Sequence, residues 1–131
     1  MNTTKQQFIK HLHSLDFKFI EHDNHIELIL SGSSLKFNIV VFFGSGYTTS
    51  VASSPFNVNE KKLPYALNKI NEINTKIPCG HLEIATESDN NIVAKYGVNT
   101  DELTKPICDD LLFLSPFLIE AHKEPLSSLM Q

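Results

Sequence analysis

The sequence predicts an α+β protein: an antiparallel β-sheet with helices packed on it, in the order α-β-β-β(-β)-α-β-β-α. Three observations carry that prediction. First, apolar residues at helical spacing over residues 63–77 run into a Pro78-x-Gly80 reversal. Second, two short alternating runs follow, residues 81–86 and 92–96, split by the polar stretch 87–91. Third, residues 25–30 and 35–43 alternate between apolar and polar and are bounded by turn residues. A chain of 131 residues has the size of one domain, and no repeat, low-complexity tract or linker divides it, so residues 1–131 read as a single unit.

In chain order, Thr3-Thr4-Lys5-Gln6 is compatible with a capping box, and Phe8, Ile9, Leu12 and Leu15 repeat at helical spacing over residues 4–15. Residues 17–21 follow as a strand with Phe17 and Phe19 on one face, and His22-Asp23-Asn24 as a turn. In the next strand Ile26, Leu28 and Leu30 share a face. The run 35–43 begins as an alternation and becomes continuously apolar, the pattern of a central strand whose far end is covered on both faces. Gly44-Ser45-Gly46 reverses the chain into a strand over residues 47–52, which Ser53-Ser54-Pro55 is expected to break.

The helix over 63–77 keeps Leu63, Ala66, Leu67, Ile70, Ile73, Asn74 and Ile77 on one stripe, with Asn59 or Leu63 as its start. Pro64 is tolerable only in its first turn, Pro78 ends it, and Gly80 frees the backbone for the reversal. In the hairpin that follows, Leu82, Ile84, Val93 and Tyr96 are candidates for the face the helix covers. Thr104 can cap a last helix with Pro106 in its first turn. Pro116 should then kink that helix or restart it with Ser115 as cap. Residues 107–121 are apolar around more of the circumference than one sheet face requires. Either the helix is deeply buried, or one side packs on the sheet while Leu112, Phe113 or Phe117 meets a second subunit or a partner. The tail after residue 122 is expected to fray or dock late.

Composition narrows the function. The net charge is −4, and all 11 basic residues are lysines, so no arginine fork is available for guanine edges or phosphates. Nucleic-acid binding is therefore not expected. Cys79 and Cys108 are too few for a disulfide framework, leaving free thiols or one bridge. The first residues lack the apolar core of a signal peptide, and no apolar run approaches the roughly 20 residues of a membrane span. A cytoplasmic protein that avoids membranes is expected.

Motifs for chemistry are weak. His11 and His13 are two apart and diverge on a helix, whereas His25 could approach His22 across a turn. No Cys-x-x-Cys or His-x-x-x-His spacing occurs, so no metal ligands are assigned. Cys79 and His81 point the same way in a strand, but Cys79 follows a helix C-terminus, whose dipole disfavours a thiolate. Gly44-Ser45-Gly46 lacks the remaining residues of a dinucleotide or phosphate loop. Asp101-Glu102 and Asp109-Asp110 read as solvated charges at helix starts. No catalytic or cofactor-binding residue is assigned; were the chain an enzyme, Cys79, His81 and Glu83 would be the cluster to test.

The segment Ala66-Leu67-Asn68-Lys69-Ile70-Asn71, followed by Ile77-Pro78-Cys79-Gly80-His81-Leu82-Glu83-Ile84, resembles the YbjN-like family, in which a helix with a leucine–asparagine pattern enters a Pro-x-Gly turn and a strand. The family's fold is similar to that of the type III secretion chaperones, small acidic cytoplasmic dimers that hold an extended segment of a client. Here an apolar last helix with Pro116 stands where the family has an acidic, proline-poor one. The resemblance implies a non-enzymatic protein-binding module, chaperone-like or regulatory, and a homodimer. It carries over no catalytic residue. An immunity-type protein neutralising a co-encoded toxin is the alternative, and an enzyme using Cys79 and His81 a further one.

Overall fold

A computed structural model describes residues 3–130. Helix α1 (Thr3–Ser14) is followed by strands β1 (Ile20–Glu21), β2 (His25–Ser31), β3 (Lys36–Phe43) and β4 (Thr48–Asn57). Helix α2 (Leu63–Asn74), strands β5 (His81–Ala85) and β6 (Asn91–Val98), and helices α3 (Lys105–Ala121) and α4 (Lys123–Ser127) complete the chain. The strands form one antiparallel sheet in the order β1-β2-β3-β4-β6-β5. This is the predicted α+β order with the optional fourth strand present. The tail docks: Leu126 and Leu129 are wholly buried.

The helices cover one face of the sheet and leave the other open. Ile26, Leu28 and Leu30 of β2 and Phe37, Ile39, Val41 and Phe43 of β3 all point into the core. Each such side chain contributes about 1.5–3 kcal/mol when fully buried. Phe8 of α1 meets Phe43 with ring centroids 5.7 Å apart, α3 crosses β4 and β6, and α2 lies against β5.

Four expectations are corrected. The apolar end of β3 is not covered on both faces: Val40 is half-buried and Phe42 is 41% exposed on the open face. β4 does not break at Ser53-Ser54-Pro55 but runs to Asn57, because the register shifts between Ser53 and Asn57 and Pro55 sits in that irregular stretch. In β6, Val93 pairs with Glu83 and points to the open face, while Ile92 and Ala94 accompany Leu82 and Ile84 in facing the helices. Of the two outcomes expected at Pro116, the restart is overturned: helix α3 runs unbroken from Lys105 to Ala121, and Ser115 is not a cap, since its hydroxyl is buried without a hydrogen-bond partner. The proline forgoes one backbone bond, to the Leu112 carbonyl.

Helix α2 ends at Asn74, before Ile77. The Asn74 carboxamide turns to the sheet instead: its Oδ1 accepts from the Leu82 N–H at 2.8 Å and its Nδ2 donates to the Leu82 carbonyl at 2.9 Å. One side chain thereby takes, at Leu82, the backbone bonds that a further strand would make. Gly80 (φ +74°) makes the preceding reversal, where a Cβ would come within 2.7 Å of the Lys95 carbonyl oxygen.

Candidate functional site

The opposite edge of the sheet is built differently. Helix α1 terminates at Asp16 in the left-handed region (φ 59°), with the Phe17 N–H donating back to the Leu12 carbonyl at 3.0 Å. The aromatic residues that follow are drawn toward the helices. The Phe17 ring centroid lies 6.3 Å from that of Phe113 on α3, and Phe19 meets His13 on α1 edge-on at 5.4 Å. Only Ile20 and Glu21 pair with β2, opposite Glu27 and Ile26. Among the described residues no backbone hydrogen bond joins residues 17–19 to β2.

Hydrogen-bond alternation shows what this exposes. His22 N–H donates to the His25 carbonyl on the β1 side, whereas Gly32 N–H donates to the Leu35 carbonyl on the β3 side. Odd-numbered residues of β2 therefore aim their backbone groups outward, and beyond Glu27 those of Ile29 and Ser31 meet no strand among the described residues.

Apolar clefts flank this free stretch on both faces. On the open face, a cleft of about 520 Å³ is lined by Phe19, Ile20, Glu27, Ile29, Asn38 and Val40. Ile29 is 67% exposed and Ile20 61%. On the helix side, a groove of about 570 Å³ is lined by Phe17, Ile29, Leu30, Phe113, Pro116 and Phe117. The groove's far wall is held by Glu120 at the end of α3. Its carboxylate accepts from the N–H groups of Ser34 (3.1 Å) and Leu35 (3.0 Å) and the hydroxyls of Ser33 (3.2 Å) and Ser34 (3.0 Å). These bonds, the Ser34 N–H first, hold the Glu120 carboxyl below the usual range.

Of the three α3 residues singled out from the sequence, Phe113 and Phe117 reach this surface, Phe117 most of all at 63% exposure. Leu112 does not. It is wholly buried in the core, one residue further round the helix, and cannot touch a partner. Ile29 and the free backbone beside it were missed, because an exposed edge depends on how far the neighbouring strand pairs. Residues 17–21 were expected as one strand with Phe17 and Phe19 on one face; only Ile20 and Glu21 pair, because the two aromatic rings pack on α3 and α1 instead.

Of the remaining candidates, Cys79 and His81 line one cleft with Lys95. His81 Nε2 lies 2.7 Å from Glu83 Oε1, and Glu83 also takes Lys95 Nζ at 2.9 Å. The Lys95 bond, then the His81 bond, lower the Glu83 carboxyl. The imidazole is thus committed to a carboxylate, and among the described residues no hydrogen bond joins it to Cys79. Cys79 is exposed and Cys108 buried, and both are free thiols. Burial, then Asp109, pushes the Cys108 thiol up to about 11. Gly44-Ser45-Gly46 forms the β3–β4 turn, with Gly44 N–H donating to the Tyr47 carbonyl. Asp109 holds His11 Nε2 at 2.7 Å, and no helix among the described residues is long and apolar enough to cross a membrane.

An antiparallel sheet of this order with helices on one face defines a YbjN-like, type III secretion chaperone-like fold. Two solved structures make the likeness concrete. YbjN from E. coli, a proposed transcription regulator, superposes with a TM-score of 0.65 at 12% identity, over 96% of each chain. A chain of the HopA1–SchA chaperone–effector complex superposes with a TM-score of 0.63 at 11% identity, over 95% of this chain and 92% of that one. No protein-family model matches the sequence, and no curated protein matches it closely enough to count as a relative.

Proposed function

We propose that the chain is a non-enzymatic protein-binding module, chaperone-like or regulatory, that takes an extended segment of a partner polypeptide along the outer edge of β2. The observation that carries this reading is the free backbone of Ile29 and Ser31 lying between two apolar clefts. An added strand would bond to those N–H and C=O groups while its side chains alternate between the faces. One set would enter the cleft beside Ile20 and Ile29, the other the groove beside Phe113 and Phe117. The backbone gives affinity without regard to sequence, and the clefts select apolar residues at every second position. The fold shared with a chain of a chaperone–effector complex supports the same reading. Two free thiols and a net charge of −4 suit a cytoplasmic protein that avoids nucleic acid.

The test is capture of the tagged chain's partner from its own cell extract, compared across variants. Ile29→Pro removes an outward N–H that the monomer does not use, and Phe117→Glu charges the helix-side groove. Both should lose a partner that the unaltered chain and Leu67→Ala, changed at an exposed site on α2, retain. Retention by both edge variants refutes the edge. A captured co-encoded toxin would make the chain an immunity protein using the same surface.

A second reading, self-association through the same corner, is favoured by the exposure of Phe113 and Phe117 on neighbouring turns of α3. Native mass separates the two. A dimer that Phe117→Glu converts to a monomer supports it, and an unchanged mass removes α3 from any self-interface.

A further inference from the structure

The β1–β2 hairpin turns on Asp23 and Asn24, closed by His22 N–H donating to the His25 carbonyl at 2.9 Å. Residues facing each other across such a turn project from the same face, and so does the residue two further along the strand. His22, His25 and Glu27 therefore meet on the open face. The two imidazoles stack with centroids 4.2 Å apart and planes 13° apart. Glu27 Oε2 lies 2.9 Å from His22 Nε2, and His25 Nδ1 lies 3.0 Å from Asn24 Oδ1. One donor atom of each of the three side chains lies within 4.8 Å of the others.

We propose that His22, His25 and Glu27 form a binding site for a late first-row divalent cation, zinc foremost. Two imidazoles and a carboxylate are donors that zinc takes at about 2.0–2.2 Å, which sets the donor atoms roughly 3.3 Å apart around a tetrahedral ion. The His22–Glu27 pair is already closer than that, and His25, stacked parallel to His22, has to turn its ring out of the stack for its nitrogen to face the same ion. Asn24 supplies the outer support: by accepting from His25 Nδ1–H it leaves the Nε2 lone pair free for the ion. On binding, the ion takes the place of the hydrogen between His22 Nε2 and Glu27, and the neutral imidazole keeps its single proton on Nδ1. The fourth position opens to water at the mouth of the cleft that Glu27 also lines. The other surface histidine cluster differs in kind. Around Glu83 the third group is Lys95, a cation that excludes another.

The probe is zinc itself, titrated by calorimetry into the full chain after chelator treatment, with cobalt(II) as the spectroscopic reporter. One equivalent should bind, raise Tm by several degrees, and with cobalt give the intense visible absorption of a four-coordinate site. His22→Ala and His25→Ala should each weaken binding by about tenfold or more, while His81→Ala leaves it unchanged. These side chains lie at the surface, so the variants keep the fold, with unchanged circular dichroism as the check. No heat and no rise in Tm overturns the proposal, as does binding that survives in the His22→Ala/His25→Ala double variant.

Discussion

Replacing Asn74 with alanine should cost about 1.5–2 kcal/mol, far more than a half-buried polar residue at a helix end normally does. The carboxamide makes two bonds, at 2.8 and 2.9 Å, to the N–H and C=O of Leu82, a residue that is itself buried. Each is worth about 1 kcal/mol net, and alanine leaves both backbone groups unpaired beside α2. The gain in helix propensity, at most about 0.5 kcal/mol, offsets part of this. Urea unfolding followed by circular dichroism is the assay. With a slope of about 1.5 kcal/mol per molar, the midpoint should fall by about 1 M. Asn68→Ala on the exposed side of the same helix should leave the midpoint unchanged or raise it slightly. Hydrogen exchange at the Leu82 amide should also accelerate in Asn74→Ala. A midpoint shift below about 0.3 M, with Leu82 exchange unchanged, would refute the claim that this side chain stands in for a strand.

Two further predictions concern single groups. Glu120 has its folded-state value lowered below 4.5, so its bonds add stability above the unfolded-state value, and that stability is lost as pH falls through the lowered folded-state value. Glu120→Gln should therefore lower Tm at neutral pH and converge with the unaltered protein in acid, as measured by Tm against pH. For the thiols, iodoacetamide should label exposed Cys79 in the native protein and leave Cys108 untouched until denaturant is added. Native labelling of both, read by peptide mass spectrometry, would contradict the buried environment of Cys108.

The periodic parts of the fold were legible because burial wrote them in hydrophobicity. β2 places Ile26, Leu28 and Leu30 inward as read, and the stripe of α2 buries Ala66, Ile70 and Ile73, although Leu67 stays 47% exposed. β4 was the least legible strand for a physical reason. Its inward positions under α3 are Thr48, Ser50, Ala52 and Ser54, small side chains beneath a closely crossing helix. Small, mostly polar inward residues leave no apolar alternation for a hydropathy reading to find. Asn74 was placed on the apolar stripe, which gave its direction correctly, but a bond to Leu82 can be seen only once the β5 edge lies beside α2. The site divides in the same way. Exposed Phe113 and Phe117 were legible as an apolar surplus on α3, and so was the approach of His22 to His25 across a turn. Glu27 joining those histidines, and the free backbone of Ile29, depend on hairpin register and strand length, which no single residue announces.

The unequal edges of the sheet set a limit on assembly. Growth of a β-structure without end requires each unit to accept a strand on one side and offer one on the other. Here Asn74 occupies the outward backbone groups of Leu82, in the middle of the short β5 edge, whereas the β2 side leaves those of Ile29 and Ser31 to an incoming strand. The protein is built to be a terminus more readily than a link. Pairing through β2 would give one ligand strand per chain, or two chains joined edge to edge, and in either product a strand added on the β5 side would have to displace Asn74 from Leu82.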